Sequence, residues 1–126
     1  SVALAGHVEI GEYAILGGLS AVHQFVHIGA HAMIGGGALV RKDVPPFIKV
    51  AKEPLSFEGV NAIGLERRGF TPEQIERIHR AYRLLYQSGL NTTQAVDRIA
   101  EETGGPEIEA ILSFVQAAER GIVKGR

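Results

Sequence analysis

The chain has 126 residues, enough for one or two small domains, and a net charge of −1 with acids and bases interspersed, which argues against a nucleic-acid partner. It has no cysteine, which excludes disulfides and thiol catalysis and fits a cytoplasmic setting. The most apolar stretch, 13–22, is too short and too glycine-rich to span a bilayer, so stable membrane insertion is not expected.

From Leu4 to Pro45 the chain reads in sixes: LAGHVE, IGEYAI, LGGLSA, VHQFVH, IGAHAM, IGGGAL, VRKDVP. The first place holds Leu4, Ile10, Leu16, Val22, Ile28, Ile34 and Val40, all aliphatic. The fifth holds Val8, Ala14, Ser20, Val26, Ala32, Ala38 and Val44, all small or β-branched. Neither a helical period nor simple strand alternation gives this pattern. A hexapeptide β-helix does: each hexad is a short strand and a corner, and three hexads close a triangular coil of about eighteen residues. The first place is expected to point inward and stack on its counterpart one coil away, and the small fifth place to fill the corner. Glycine at the second place (Gly11, Gly17, Gly29, Gly35) is expected to serve the turn through a positive φ.

The pattern is already running at Leu4 and the first residue is Ser1, so the chain is expected to begin inside a longer protein, its β-helix truncated at the N-terminus. So few coils need completion by upstream coils, by oligomerisation or by the segment that follows. The pattern ends at Val44-Pro45-Pro46, where two prolines remove two ladder donors. Residues 47–50 alternate and read as a last strand, with Lys52-Glu53-Pro54 as a turn. The spacing of Phe57, Val60, Asn61, Gly64 and Leu65 predicts a helix that stops at Gly69, after the basic pair Arg67 and Arg68. A second helix opens at Thr71-Pro72-Glu73-Gln74, with an N-cap, an N1 proline and a capping box. Ile75, Ile78, Tyr82 and Leu85 form its buried stripe and Gly89 ends it. A third helix is predicted from Thr92 or Thr93 to Thr103, with Val96, Ile99 and Ala100 inward. A fourth runs from Pro106, with Ile108, Ile111, Leu112 and Val115 inward, to near Gly121. The stretch Val123 to Arg126 is expected to fray. The expected organisation is β-helix coils over 1–50 and a helical domain over 51–126.

Three of the five histidines, His23, His27 and His31, fall at the second, sixth and fourth places and so face different ways. No Asp or Glu completes a cluster with them, and no metal site is expected. His7, after Gly6, and His23, which stands where glycine is usual, are better candidates for an outward-facing site; a solvated surface histidine is the alternative for each. His79, beside Ile75 and Ile78, reads as structural or solvated. Arg67 and Arg68 can fork onto a phosphate or carboxylate, or simply complement the helix dipole.

Several runs carry a resemblance. They are Ala5-Gly6-His7-Val8, Gly17-Gly18-Leu19-Ser20-Ala21-Val22-His23-Gln24-Phe25, Ile28-Gly29-Ala30-His31, Asp43-Val44-Pro45-Pro46, Gly59-Val60-Asn61 and Arg67-Arg68-Gly69-Phe70. Together they resemble the acyl-carrier-protein–UDP-N-acetylglucosamine O-acyltransferase family, which begins lipid A synthesis in Gram-negative bacteria. The resemblance covers nearly the whole chain and corresponds to the family's C-terminal half. Hexads are shared by many acyltransferases; the runs AVHQF and RRGF are more specific.

The resemblance implies a left-handed parallel β-helix followed by a C-terminal α-helical domain, working as a homotrimer with sites between neighbouring β-helices. It implies transfer of a 3-hydroxyacyl chain from acyl carrier protein to the sugar 3-hydroxyl of UDP-N-acetylglucosamine, with no cofactor. That chemistry needs a general base, an oxyanion donor and cations for the pyrophosphate. By the same resemblance, the backbone N–H of Gly6 is the oxyanion donor, and His7 contacts the sugar and nucleotide. His23 and Gln24 line the acyl and sugar region, and Asn61, Arg67 and Arg68 hold the nucleotide. Gly36 falls at a groove position where side-chain size limits acyl length. Two departures stand out. The family's general-base histidine belongs to a stretch like N-x-H-I-A-H-D that precedes Ser1, so this chain alone is expected to be inactive. Ile63 and Glu66 replace an acid and a lysine of the family's N-x-E-G-L-K-R-R, which changes the nucleotide contacts. The rival functions are another hexapeptide transferase using acyl-coenzyme A, or a non-catalytic trimerising or nucleotide-sugar-binding module.

Overall fold

A computed structural model of the chain describes residues 1–118 and 121–125. Seven two-residue strands climb through the hexads: β1 (Ala3–Leu4), β2 (Glu9–Ile10), β3 (Ile15–Leu16), β4 (Ala21–Val22), β5 (His27–Ile28), β6 (Met33–Ile34) and β7 (Leu39–Val40). They stack in parallel as three walls, β1-β4-β7, β2-β5 and β3-β6, the last continued by β8 (Ile48–Ala51) and β9 (Ser56–Val60). The register follows the hexads: Ala3 pairs with Ala21 and Ala21 with Leu39, eighteen residues apart. The last coil is two residues shorter before it reaches the prolines: Ile28 bridges Val44, and Met33 pairs with Lys49, each sixteen residues on. First-place Val22, Ile28, Ile34 and Val40 and fifth-place Val26, Ala32 and Val44 are buried as expected, each 2% exposed or less. In the first coil, Leu4 and Ile10 keep 52% and 40% of their surface.

The corners differ from expectation. In the second to sixth hexads the fifth-place N–H bonds the second-place carbonyl, as from Ala14 to Gly11 or Val26 to His23 at 3.3 Å. This makes a type II-like turn whose left-handed residue is the fourth place. The positive φ therefore falls on His7, Tyr13, Leu19, Phe25 and His31 (57° to 66°), not on second-place glycine. A second-place glycine has a steric cause instead. A Cβ on Gly11, Gly17 or Gly29 would come within 2.4 Å of the backbone nitrogen of Ala30, Gly36 or Pro46, one coil on. The first corner has Ala5, His23 and Arg41 at its second places, so it admits side chains there. Each left-handed residue costs roughly 1–2 kcal/mol. Part of that cost is offset because corner side chains stack along the solenoid: His7 on Phe25, with ring centres 5.0 Å apart, and Tyr13 on His31 on Phe47, at 5.0 and 5.8 Å.

The helix expected from Phe57 is in fact strand then helix. β9 returns antiparallel to β8, so the sheet runs past residue 50 to Val60. A bulge between Lys49 and Val50 lets Phe57 and Val60, three apart, both face inward. It imitates a helical spacing. Helix α1 (Ala62–Arg67) follows, then α2 (Pro72–Gln87), α3 (Thr92–Glu102) and α4 (Pro106–Ala117). Thr71 and Gln74 form the expected capping box, and Asn91 with Gln94 forms a second one that the pattern had not disclosed. Ile78, Ala81, Tyr82 and Leu85 are the buried face of α2, with Ile75 only partly covered. No helix among the described residues is long and apolar enough to cross a membrane.

Helices and coils meet on aromatic rings. The Tyr82 hydroxyl donates to the Pro46 carbonyl at 2.6 Å, and Phe57 stacks on Tyr86 at 4.4 Å. Val123 is 2% exposed rather than frayed. It lies there because Asp43 and Phe57 have backbone groups to satisfy: Asp43 N–H donates to Gly121, Val123 N–H to Asp43, and Phe57 N–H to Lys124. Arg126 lies outside the described residues.

Gly17→Ala is expected to lower stability by about 2 kcal/mol or more in urea unfolding, since the clash is with backbone. Gly37 has φ +73° and nothing within 4 Å of an added Cβ, so Gly37→Ala is expected to cost only about 1 kcal/mol.

Candidate functional site

The sequence-predicted residues lie at all three corners of the coil. The first gathers Gly6, His7, His23 and Gln24. The Gly6 carbonyl accepts the Phe25 N–H at 3.2 Å, which fixes the orientation of the peptide that follows it. The Gln24 amide nitrogen lies 4.0 Å from where a Gly6 Cβ would be, so the side chain leans over a floor that has none. His7 lies flat against Phe25, and His7, His23 and Gln24 are all exposed. The result is an outward-facing imidazole and amide around an open stretch of backbone.

The second corner holds Asn61 and Arg68. Asn61 is 3% exposed and donates its amide N–H to the His31 carbonyl at 3.1 Å. It also caps α1, where its carbonyl accepts the Leu65 N–H, so it ties the short helix to the coil. Arg68, at the C-cap of α1, is half-buried; its Nη1 lies 3.2 Å from His31 Nδ1 and its Cζ 5.5 Å from the centre of the Tyr13 ring. Arg67 is exposed on the last turn of α1, and Ile63 is 66% exposed on the same helix. Arginine only donates, so His31 Nδ1 must accept and the neutral ring carries its proton on Nε2. Burial, then the Arg68 charge, lower the His31 pKa against an opposing pull from Glu12. Gly36 sits apart at the third corner, where a Cβ would lie 3.3 Å from the Gly18 carbonyl oxygen.

Tyr13, Phe25 and His31 pack against the predicted residues, and Phe70 against His31; they were not anticipated there, although the fourth place of the hexad marks three of them. Also missed was the company of His27. Glu9 Oε2 lies 3.3 Å from its Nε2 and the buried Asp43 3.6 Å from its Nδ1, while Asp43 Oδ1 accepts the His27 backbone N–H. Acids flank this histidine because coil stacking brings residues 9, 27 and 43 together, yet no group of His, Asp and Glu that could hold a metal ion is found among the described residues. None of the predicted site residues is among those lining the open cleft of about 420 Å³ beside it, which is walled by Ile10, Ile28 and Phe114.

A three-sided parallel coil of six-residue steps, with its polar side chains at the corners and helices closing one end, defines a hexapeptide-repeat protein with a C-terminal helical domain. The family model described as UDP-N-acetylglucosamine O-acyltransferase, domain 2, matches residues 43–123, and the chain belongs to that family. The acyl-[acyl-carrier-protein]–UDP-N-acetylglucosamine O-acyltransferase of Burkholderia lata is 44% identical over 126 aligned residues, 96% of this chain and 48% of the relative. The solved UDP-N-acetylglucosamine acyltransferase of Bacteroides fragilis superposes with a TM-score of 0.97 at 46% identity, covering 98% of this chain and 49% of that one. The Arabidopsis enzyme gives 0.90 at 34%, covering 98% and 46%. The chain thus spans about half the length of the relatives it matches.

His31 is held neutral in the fold and titrates near its ordinary value of 6.5 when unfolded, so the unfolded state binds more protons. The stability it contributes is present above that value and is lost as pH falls through the lower folded value. Thermal melts from about pH 7.5 to about pH 5.5 are expected to show a steeper loss in the wild type than in His31→Phe.

Proposed function

We propose that the chain is the C-terminal half of an acyltransferase. That enzyme moves a 3-hydroxyacyl group from acyl carrier protein to the 3-hydroxyl of UDP-N-acetylglucosamine, early in lipid A synthesis in the cytoplasm. In this reading the sugar hydroxyl loses its proton to a base and its oxygen attacks the thioester carbonyl. The C–S bond then breaks and the carrier thiolate takes up a proton. Gly6 N–H stabilises the oxyanion, where the absence of a side chain lets the thioester approach. His7, His23 and Gln24 contact the sugar and the acyl chain around it. Arg67 and Arg68 neutralise the diphosphate, with Asn61 setting the helix that presents them. The base lies outside this chain, and the reaction needs no cofactor.

The separation of the corners carries the assembly part of the proposal. Gly6 and Arg68 stand at successive corners, with the strand β2 between them. Six residues of extended chain span at most about 20 Å. One chain therefore presents the acyl corner and the phosphate corner on different edges. A homotrimer of left-handed coils joins the first corner of one copy to the second corner of the next, and covers flat walls that a lone stub leaves bare.

Acyl transfer from 3-hydroxyacyl carrier protein to UDP-N-acetylglucosamine is the test. The chain alone is expected to show no turnover, and supplying the upstream half of a relative is expected to restore it. In the restored enzyme Arg68→Ala is expected to lower kcat/KM about tenfold to a hundredfold, and Gly36→Met to shift the preferred acyl chain to a shorter one. Turnover by the chain alone would place a base within it and refute the missing-base account. Preference for coenzyme A thioesters over the carrier protein would favour the wider hexapeptide transferase class instead.

A further inference from the structure

We propose that His31 is a positioning residue: its ring nitrogen and the face of Tyr13 hold the Arg68 guanidinium in one orientation, ready for the diphosphate of a nucleotide sugar. This rests on Arg68 being the phosphate ligand. Arginine carries a long, freely rotating side chain, and ordering it on binding costs affinity. Here the ordering is done beforehand. Nη1 meets His31 Nδ1 at 3.2 Å while Cζ lies 5.5 Å from the Tyr13 centroid.

The ring that does the holding is itself immobile. It is stacked between Tyr13 and Phe47, and Phe70 meets it edge-on at 5.1 Å. Its backbone sits at φ 60°, with the N–H bonded to Glu12 O at 2.9 Å and the carbonyl accepting from Asn61. The groups that face it are therefore Glu12 and Tyr13 from the coil above, Arg68 from α1, and the apolar Phe47 and Phe70. Burial and Arg68 keep the imidazole neutral and Glu12 opposes them, so Nδ1 stays available as an acceptor. A ring needed only to fill space between Tyr13 and Phe47 could be phenylalanine. Histidine adds one thing that phenylalanine cannot, an acceptor aimed at the guanidinium.

The test is the affinity of the 126-residue chain for uridine 5′-diphosphate by titration calorimetry, with a melting temperature for every variant. Arg68→Ala is expected to weaken binding about tenfold or more, and His31→Phe, which keeps the stack and loses the acceptor, about tenfold. Asparagine offers an amide oxygen near the Nδ1 position and glutamine one near Nε2. His31→Asn is therefore expected to bind within about threefold of wild type and His31→Gln to match His31→Phe. Wild-type affinity in His31→Phe, or equal affinity in the Asn and Gln variants, overturns the positioning role while a loss in Arg68→Ala leaves the nucleotide reading intact. Binding by Arg68→Ala equal to wild type, or none by the wild type, removes that reading and the positioning role with it. Should His31→Phe not fold, the Asn and Gln pair decides the matter alone.

Discussion

The structure depends on how a chain with side chains turns a tight corner every six residues. The backbone enters the left-handed region at the fourth place of the first six hexads, and the residue there is His, Tyr, Leu, Phe or His before it is Gly37. That conformation is tolerable because the fourth-place N–H finds a fixed partner, the third-place carbonyl one coil earlier: Phe25 to Gly6, His31 to Glu12, Gly37 to Gly18. These corners are thus pinned by the coil before them, and the rings thrown outward stand in column, His7 with Phe25 and Tyr13 with His31 and Phe47. Rigid, outward-pointing side chains are what a site built on a solenoid requires.

The inward places do a different task. Aliphatic first-place residues and small fifth-place residues fill the coil, and second-place glycines at two of the three corners let successive backbones approach where a Cβ could not fit. The first corner lacks that glycine and carries His23 and Arg41 instead. The anomaly that made His23 stand out is therefore a property of a whole corner, which is less closely packed against its neighbour and carries more polar side chains. It is the same corner that holds Gly6, His7 and Gln24.

Places one and five were legible in the sequence because packing restricts their chemistry to a few residue types. Place four was not, because what its occupants share is a dihedral angle and not a side chain. The second-place glycines were noticed for the wrong reason: conformational freedom was invoked where proximity of Ala30, Gly36 and Pro46 is the cause. Phe57 and Val60 imitated a helix because one bulge within their own strand, at Glu58, put both on one face. The cap at Thr71 and the first-position proline at Pro106 were readable because both signals lie in adjacent residues, although the equally local box of Asn91 and Gln94 went unread. The grouping of Glu9, His27 and Asp43 was hidden by the shortened last coil, which breaks the eighteen-residue count just where Asp43 falls. The resemblance marked Asn61 for the nucleotide, but nothing in the sequence marked it as a buried tether for His31.

Tyr82 reaches from the second helix to the Pro46 carbonyl, Tyr86 reaches to the Val123 carbonyl, and the stretch 121–125 returns to Asp43 and Phe57. Neither part can be taken away without baring buried polar groups on the other. The helical segment is for that reason not a module that recombination could pass freely among solenoids. A solenoid without these helices would have to satisfy the Pro46 carbonyl and the Asp43 and Phe57 backbone groups by other means.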